Sequence, residues 1–438
     1  MRTLLILLLW SSAATITPAT PPKPNILIIF TDDQGYGDLA CYGNQKTKTP
    51  RLDQLAKEGT RFTSFYAQTV CGPSRSALLT GRQPIRSKGW GMPASEITFA
   101  ELIRGAGYQT ACIGKWDVSN RKAIIDRMPN AQGFDYFFGA LGANDNGTVH
   151  FHENNEKAGS TKDMGGLTTL YTDKAIHYLK EKRDPEKPFA LYLAHTMMHT
   201  IIDASDKFRG KSAGGLYGDV VEEFDYETGR LLDTLAELGL SEDTLIIYTS
   251  DNGPWNQEKY TGKKKGHPPG AIFWGEAGPL RNGKGSPYEG GYRLPCIVRW
   301  PGKVPAARES DAIFASIDFM PTFAKLAGFE LPGDRHIDGI DQTDLLLGKR
   351  ESGREHFYFN NAGVRQGKWK YLRADAFFHG YAVDDQREKV EELYDLEADL
   401  GERQNLAGKF PEKVAELKKL MRSIEAGEDP ATKPIRTR

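Results

Sequence analysis

The chain has 438 residues, with 57 Lys plus Arg against 58 Asp plus Glu and a formal net charge of −1. At 26% charged and 39% hydrophobic it is composed like an ordinary globular protein. This excludes a mainly disordered or collagen-like chain and gives no support to nucleic-acid binding by bulk charge. The length suits two or three domains, or one large domain with an appendage.

The first element is a leader. Met1-Arg2-Thr3 carries one positive charge, Leu4 to Trp10 is an uninterrupted apolar run, and small residues follow at Ser11 to Ala14 and at Ala19. That order reads as a signal peptide over residues 1–20 and predicts an exported protein, periplasmic or secreted. The apolar run is too short to span a bilayer, and no later stretch approaches 18 apolar residues, so no membrane span is expected.

Next come short apolar runs that end in polar clusters. Asn25 to Phe30 is a continuous apolar run, the mark of a strand buried on both faces, and it ends in Thr31-Asp32-Asp33. Pro50 to Glu58 has a helical pattern. Thr110 to Gly114 ends at Lys115, Phe189 to Ala194 ends at His195 with His199 just beyond, and Leu245 to Thr249 ends in Ser250-Asp251-Asn252. Between the last two runs, Asp219 to Leu238 places Val221, Phe224, Leu231, Leu235 and Leu238 on one helix face. Strands alternating with helices predict an α/β domain over residues 23–330, built on a mostly parallel sheet flanked by helices. Ligands bind beyond the carboxyl ends of such strands. Asp32, Asp33, Lys115, His199, Asp251 and Asn252 should therefore gather at one edge.

The pattern changes near residue 330. Leu331-Pro332-Gly333 reads as a linker, Trp369 to Leu372 and Leu393 to Leu396 as short elements, and Pro411 to about Ala426 as a closing helix. Its apolar stripe is Val414, Leu417, Leu420, Met421 and Ile424. Residues 331–438 are expected to form a smaller α+β subdomain packed on the main sheet.

The four cysteines, Cys41, Cys71, Cys112 and Cys296, show no C-x-x-C and no zinc spacing. Cys71 is followed two residues later by Pro73, which suits the first turn of a helix. Cys71 is therefore expected just before a helix N-terminus, where a cysteine reads either as a low-pKa thiol nucleophile or as part of an anion-binding turn.

The stretch Cys71-Gly72-Pro73-Ser74-Arg75-Ser76-Ala77-Leu78-Leu79-Thr80-Gly81-Arg82 resembles the signature of the sulfatases, Cys-x-Pro-Ser-Arg-x-x-x-Leu-x-Gly-Arg, at every defining position. The resemblance implies an alkaline-phosphatase-like fold and hydrolysis of sulfate esters. It also implies that a formylglycine-generating maturation enzyme oxidises Cys71 to formylglycine, whose hydrated aldehyde is the nucleophile. Thr31-Asp32-Asp33-Gln34-Gly35-Tyr36-Gly37 and Ser250-Asp251-Asn252-Gly253 match the family's metal-ligand segments. The ligand set implied is Asp32, Asp33, Asp251 and Asn252 around one Ca²⁺, and an all-oxygen donor set suits that hard cation. Arg75, Lys115 (in Gly114-Lys115-Trp116), Lys284 (in Leu280 to Gly291) and His199 match the residues that contact the sulfate. His195 reads as a packing residue at its strand end.

Two positions depart from the family pattern. Asp117 stands where the family has a histidine that helps regenerate the aldehyde, and is expected to serve as a base if its neighbours tune it. Met198 replaces the proline before the sulfate-contacting histidine. Ser316 to Thr322 and Glu392 to Leu396 resemble later family landmarks, so the resemblance covers roughly residues 24 to 425. With Cys71 committed to the nucleophile, Cys41, Cys112 and Cys296 permit at most one disulfide, and Cys112 reads as a reduced core residue.

For substrate, export and polar-aromatic loops point to a sulfated polysaccharide or oligosaccharide. The loop residues named for sugar contact are Asn144 to Asn146, His150, His152, Trp255, Lys263 to Lys265, His267, Trp274, Arg293, Phe377, His379 and Tyr381. The alternatives are a broad-specificity arylsulfatase, a phosphodiesterase or phosphonate hydrolase, and a sulfated-glycan binding protein whose Cys71 stays a thiol.

Overall fold

The computed structural model describes residues 23–255, 267, 271–377, 379, 388–429 and 431–432. The segment read as a signal peptide, Lys263 to Lys265 and Tyr381 lie outside the described residues. The main sheet contains β1 (Asn25–Thr31), β2 (Thr60–Tyr66), β3 (Gln109–Lys115), β4 (Tyr136–Ala140), β5 (Val149–Glu153) and β6 (Glu156–Thr161). It is completed by β7 (Phe189–Ala194), β8 (Thr244–Ser250), β9 (Arg293–Arg299), β10 (Arg308–Ser310) and β11 (Phe314–Ala315). Their order is β10-β2-β9-β8-β1-β7-β3-β4-β5-β6, with β11 also beside β2. The centre, β8-β1-β7-β3-β4, is parallel. Antiparallel pairs flank it, β2-β9-β8 on one side and β4-β5-β6 on the other, so the sheet as a whole is mixed.

Every residue of β1, β7 and β8 is buried, because helices cover both faces and both sets of alternating side chains need an apolar environment. In β1, Leu27 and Ile29 point into a core shared with helices Pro50–Glu58, Leu167–His177 and Gly215–Glu237. Ile26, Ile28 and Phe30 point the other way, toward helices Cys71–Thr80, Phe99–Gly105 and Phe319–Ala327. Thr98 and Glu101 close a reciprocal capping box on the middle one of these, satisfying two otherwise orphaned N–H groups.

A separate antiparallel sheet runs β12 (His356–Tyr358), β13 (Gly363–Gln366), β14 (Trp369–Leu372) and β15 (Glu392–Asp395). Helix Pro411–Ala426 covers one face through Val414, Leu417, Met421 and Ile424. The other face presents Phe357, Leu372 and Tyr394 to Tyr66, Tyr288, Tyr292 and Ile313 of the main body. Among the described residues, no helix is long and apolar enough to cross a membrane. All four cysteines are unpaired.

Candidate active site

The parallel centre brings the carboxyl ends of β1, β3, β7 and β8 to one edge. Thr31 pairs in register with Ser250, so Asp32-Asp33 and Asp251-Asn252 leave the sheet side by side. Lys115 closes β3. Cys71 is the first residue of helix Cys71–Thr80, not the residue before it, and Arg75 lies one turn further on. His199 comes from the turn after β7, where the Met197–Met198 peptide is cis, and Lys284 comes from the loop before β9. All of these side chains are buried.

Each cation has one nearest carboxylate, and Arg75 and Lys115 each reach a second, Asp32 and Asp117, at 3.5 Å. Arg75 Nη2 donates to Asp251 Oδ2 (2.9 Å), Lys115 Nζ to Asp32 Oδ2 (2.6 Å) and Lys284 Nζ to Asp33 Oδ1 (2.5 Å). Cys71 Sγ lies 3.2 Å from Asp32 Oδ1 and 3.4 Å from Lys284 Nζ, at the middle of the cluster. Asp33 sits at φ +59°, a sparsely populated conformation for a residue with a Cβ. Its Oδ1 also accepts from Asn252 Nδ2 (2.7 Å), and its N–H donates to Asp251 Oδ1 (3.2 Å), which holds it there.

Two buried oxygens, Asp33 Oδ2 and Asn252 Oδ1, have no hydrogen-bond partner. One ligand atom from each of Asp32, Asp33, Cys71 and Asp251 falls within 4.8 Å of the others. Unpaired buried oxygens are costly unless something else binds them. A hard cation fits this donor set, and Asn252 Oδ1 adds a neutral oxygen. The thiol is the one soft atom in it, so an oxygen-bearing group at position 71 makes the set uniformly hard.

Electrostatics follow the same arrangement. Burial alone would raise Asp32, but Lys115, His199, Arg75 and Lys284 overcome it and hold the carboxyl well below its usual range. Burial, with Asp32 beside it, pushes Asp251 up to about 7. Burial, then Asp251 and Asp32, push the Cys71 thiol well above its ordinary value. A low-pKa thiolate is therefore not what this helix start supplies. Burial, then Lys284, bring His199 down to about 4.

The sulfatase profile matches residues 24–329, and a profile described as N-sulphoglucosamine sulphohydrolase, C-terminal, matches residues 283–426. Human arylsulfatase A is 34% identical over 97% of this chain and 94% of its own. An N-acetylgalactosamine-6-O-sulfatase of Bacteroides thetaiotaomicron is 32% identical over 92% of this chain and 93% of its own. The chain belongs to the sulfatase family. It is thus a sulfuric ester hydrolase with the alkaline-phosphatase-like fold. A solved structure from work on the metabolism of multiple glycosaminoglycans by B. thetaiotaomicron superposes at a TM-score of 0.81 with 31% identity, covering 92% of this sulfatase and 99% of that chain.

Other residues singled out in this sulfatase take varied places. His195 packs against Tyr171 and Phe224, and its Nδ1 accepts from the Met197 N–H (2.9 Å). Trp255 lies near the cluster, its ring 5.8 Å from Lys284 Nζ. His267 stacks on Phe273, which touches Trp274. His150 and His152 lie on β5, one exposed and one buried. Arg293 is buried, with its guanidinium on the Thr63 carbonyl and against Glu289, so it does not line an open loop. His379 packs edge-on to Trp90 and to the exposed Phe377.

Asp117 lies beside Lys115, at 3.5 Å, with Oδ1 accepting from Arg121 Nε (2.8 Å) and Oδ2 from Trp90 Nε1 (3.1 Å). Trp90 and Arg121 carry no sequence signal of their own. The four-residue spacing of Asp117 and Arg121 would suggest a helix pair, yet Asp117, Asn120 and Arg121 all have positive φ and form an irregular turn.

Proposed function

We propose that this sulfatase removes sulfate from sulfated saccharides, with Cys71 matured to formylglycine by a dedicated enzyme and one Ca²⁺ held by Asp32, Asp33, Asp251 and Asn252. The observation that carries this reading is the charge balance of the cluster. Asp32, Asp33 and Asp251 are balanced by Arg75, Lys115 and Lys284, the Asp117 carboxylate by Arg121, and two oxygens remain unclaimed. A divalent cation then leaves a net positive site, matched to an anionic sulfate ester and an ionised oxygen nucleophile. When bound, the calcium supplies Lewis-acid polarisation of a sulfate oxygen, and formylglycine supplies an oxygen nucleophile in place of the thiol.

The chain's own residues do the rest. Arg75, Lys115 and Lys284 are preorganised donors that hold the sulfate oxygens as charge builds on them, without reorganisation cost. His199 faces the departing alcohol and delivers a proton to it once the bound anionic ester raises the ring from the value of about 4 that burial and Lys284 give it. Asp117, beside Lys115, completes the set. Helix Cys71–Thr80 keeps position 71 fixed against the metal ligands, which supplies orientation.

The saccharide assignment is supported by the N-acetylgalactosamine-6-O-sulfatase relative and by the glycosaminoglycan context of the B. thetaiotaomicron structure. The near full-length match to arylsulfatase A keeps a broader aryl specificity as the second reading. Residues 23–330 form the catalytic part in this view, and 331–438 the subdomain that packs against it. The leader sequence supports export to the periplasm or medium. Sulfate release from defined sulfated saccharides and from 4-nitrophenyl sulfate tests the reading, using protein whose residue-71 peptide carries the aldehyde by mass spectrometry. Cys71→Ala is expected to lose at least about a thousandfold in kcat. Release that survives this change, or a native thiol at Cys71, overturns the reading.

A further inference from the structure

Asp117 replaces an imidazole, which offers at most one acceptor nitrogen, with a carboxylate that accepts several donors at once. This structure uses that capacity. The Asp117 carboxylate is buried and carries Arg121 on one oxygen and Trp90 and Lys115 on the other. Arg121 reaches outward from that anchor, and its Nη1 donates to Asp145 Oδ2 at 2.8 Å. The rigid guanidinium fork thus spans two carboxylates, one buried and one about a third exposed.

Asp145 in turn faces His199, with its Oδ1 3.7 Å from Nε2. The preceding residue grips the same turn from behind. Asn144 Nδ2 donates to the carbonyls of His199 (2.8 Å) and Ile201 (2.5 Å). His199 Nδ1 lies 2.7 Å from the Thr200 carbonyl, which aims Nε2 at the space shared by Asp33 and Asp145. One short loop therefore holds the His199 turn through Asn144 and faces its ring with Asp145, and Arg121 is paired to that loop.

We propose that Asp117, Arg121 and Asp145 form a brace that orients His199 toward the departing alcohol oxygen, with Asp117 acting as a positioning residue and not as the base that regenerates the aldehyde. The inference rests on the reading above, in which His199 serves the leaving group.

The two roles for Asp117 differ in what they do to different substrates. Release of sulfate from the enzyme is common to all substrates, so a defect there is blind to the leaving group. A defect in leaving-group protonation spares a phenolate that departs without a proton. The test compares Arg121→Met, Arg121→Lys, Asp145→Asn and Asp117→Asn with wild type on 4-nitrophenyl sulfate and on N-acetylgalactosamine 6-sulfate. Arg121→Met and Asp117→Asn should each lower kcat by about thirtyfold on the sugar and about threefold on the aryl ester, with KM little changed and Arg121→Lys intermediate. Equal losses on both substrates, or no loss, overturn the brace.

A second measurement needs no turnover. In protein labelled with ¹⁵N-histidine, the His199 ring signals are assigned by their absence in His199→Gln. They should shift in Arg121→Met and Asp117→Asn, although the brace places neither residue against His199. Unmoved signals overturn the proposal whether or not the sugar is a substrate. Failure of the wild-type enzyme on both esters would instead count against the sulfatase reading itself.

Discussion

Two of the buried charge clusters among the described residues are built differently. In the active-site cluster, Asp33 Oδ2 and Asn252 Oδ1 are sealed from water with no donor. In the second cluster, Lys370 on β14 sits between Glu289 (3.0 Å) and Glu402 (2.8 Å), while Tyr66 donates to Glu289 Oε2 (2.6 Å) and the Glu289 N–H to Glu402 Oε2 (2.6 Å). Each carboxylate oxygen there has a cation or donor within 3.0 Å. That cluster ties the antiparallel sheet to the main body; its oxygen without a hydrogen bond, Glu402 Oε1, still has the Lys370 ammonium at 2.8 Å. The active-site cluster keeps coordination capacity that only a ligand can use. Burial of charge alone does not mark a functional site; here two unclaimed oxygens beside a cluster of hard ligand atoms do.

The sharpest way to break this comparison is to remove one lysine from each cluster. Lys370→Met leaves Glu289 and Glu402 facing each other without their cation, and should cost about 3–5 kcal/mol of unfolding free energy in urea titrations. Lys115→Met should cost roughly 10²–10³ in kcat, the scale of losing one preorganised donor, with a much smaller stability loss in calcium because the metal still holds Asp32. If Lys115→Met unfolds the protein as readily as Lys370→Met, the two clusters are alike and the distinction fails.

Calcium sharpens the contrast from the other side. At about 100 times its dissociation constant, Ca²⁺ should stabilise the protein by ~2.7 kcal/mol, and thermal melts should show that gain lost with a chelator or in Asn252→Ala. The Lys370 cluster should be indifferent to the ion. A smaller effect concerns acid. Glu289 is held at about 2: burial opposes this, and Lys370, Arg293 and Arg365 prevail. Because the unfolded carboxyl titrates near 4.3, this stabilisation is present above that pH and is lost as pH falls toward about 2. Glu289→Gln should therefore unfold more easily at neutral pH and show a flatter acid limb between pH 4 and 2.

Much of the fold was readable from the chain. The apolar runs from Asn25, Thr110, Phe189 and Leu245 correspond to β1, β3, β7 and β8, and the helix read from Pro411 to about Ala426 ends where Gly427 adopts φ +80°. The strands are buried on both faces, which writes their burial in consecutive residues, and the helix buries one stripe at helical spacing. The flanking strands were less legible. Strand β9 contains Pro295, and its antiparallel partner β2 is interrupted by an irregularity between Phe62 and Phe65. Arg293 looked like a loop residue because nothing local reveals that Glu289 and Thr63 enclose it.

The order of residues alone placed Asp32, Asp33, Lys115, Asp251 and Asn252 at strand ends, and parallel pairing then obliges such ends to share an edge. It also supplied the Cys71 segment, because a motif of contiguous residues survives any folding. Which carboxylate meets which cation, the two orphaned oxygens and the link from Asp117 through Arg121 and Asp145 to His199 belong to the tertiary structure. Their partners lie in loops far apart in the chain, at positions where no periodicity operates. Only the crossing of the main sheet brings them within a few ångströms of one another.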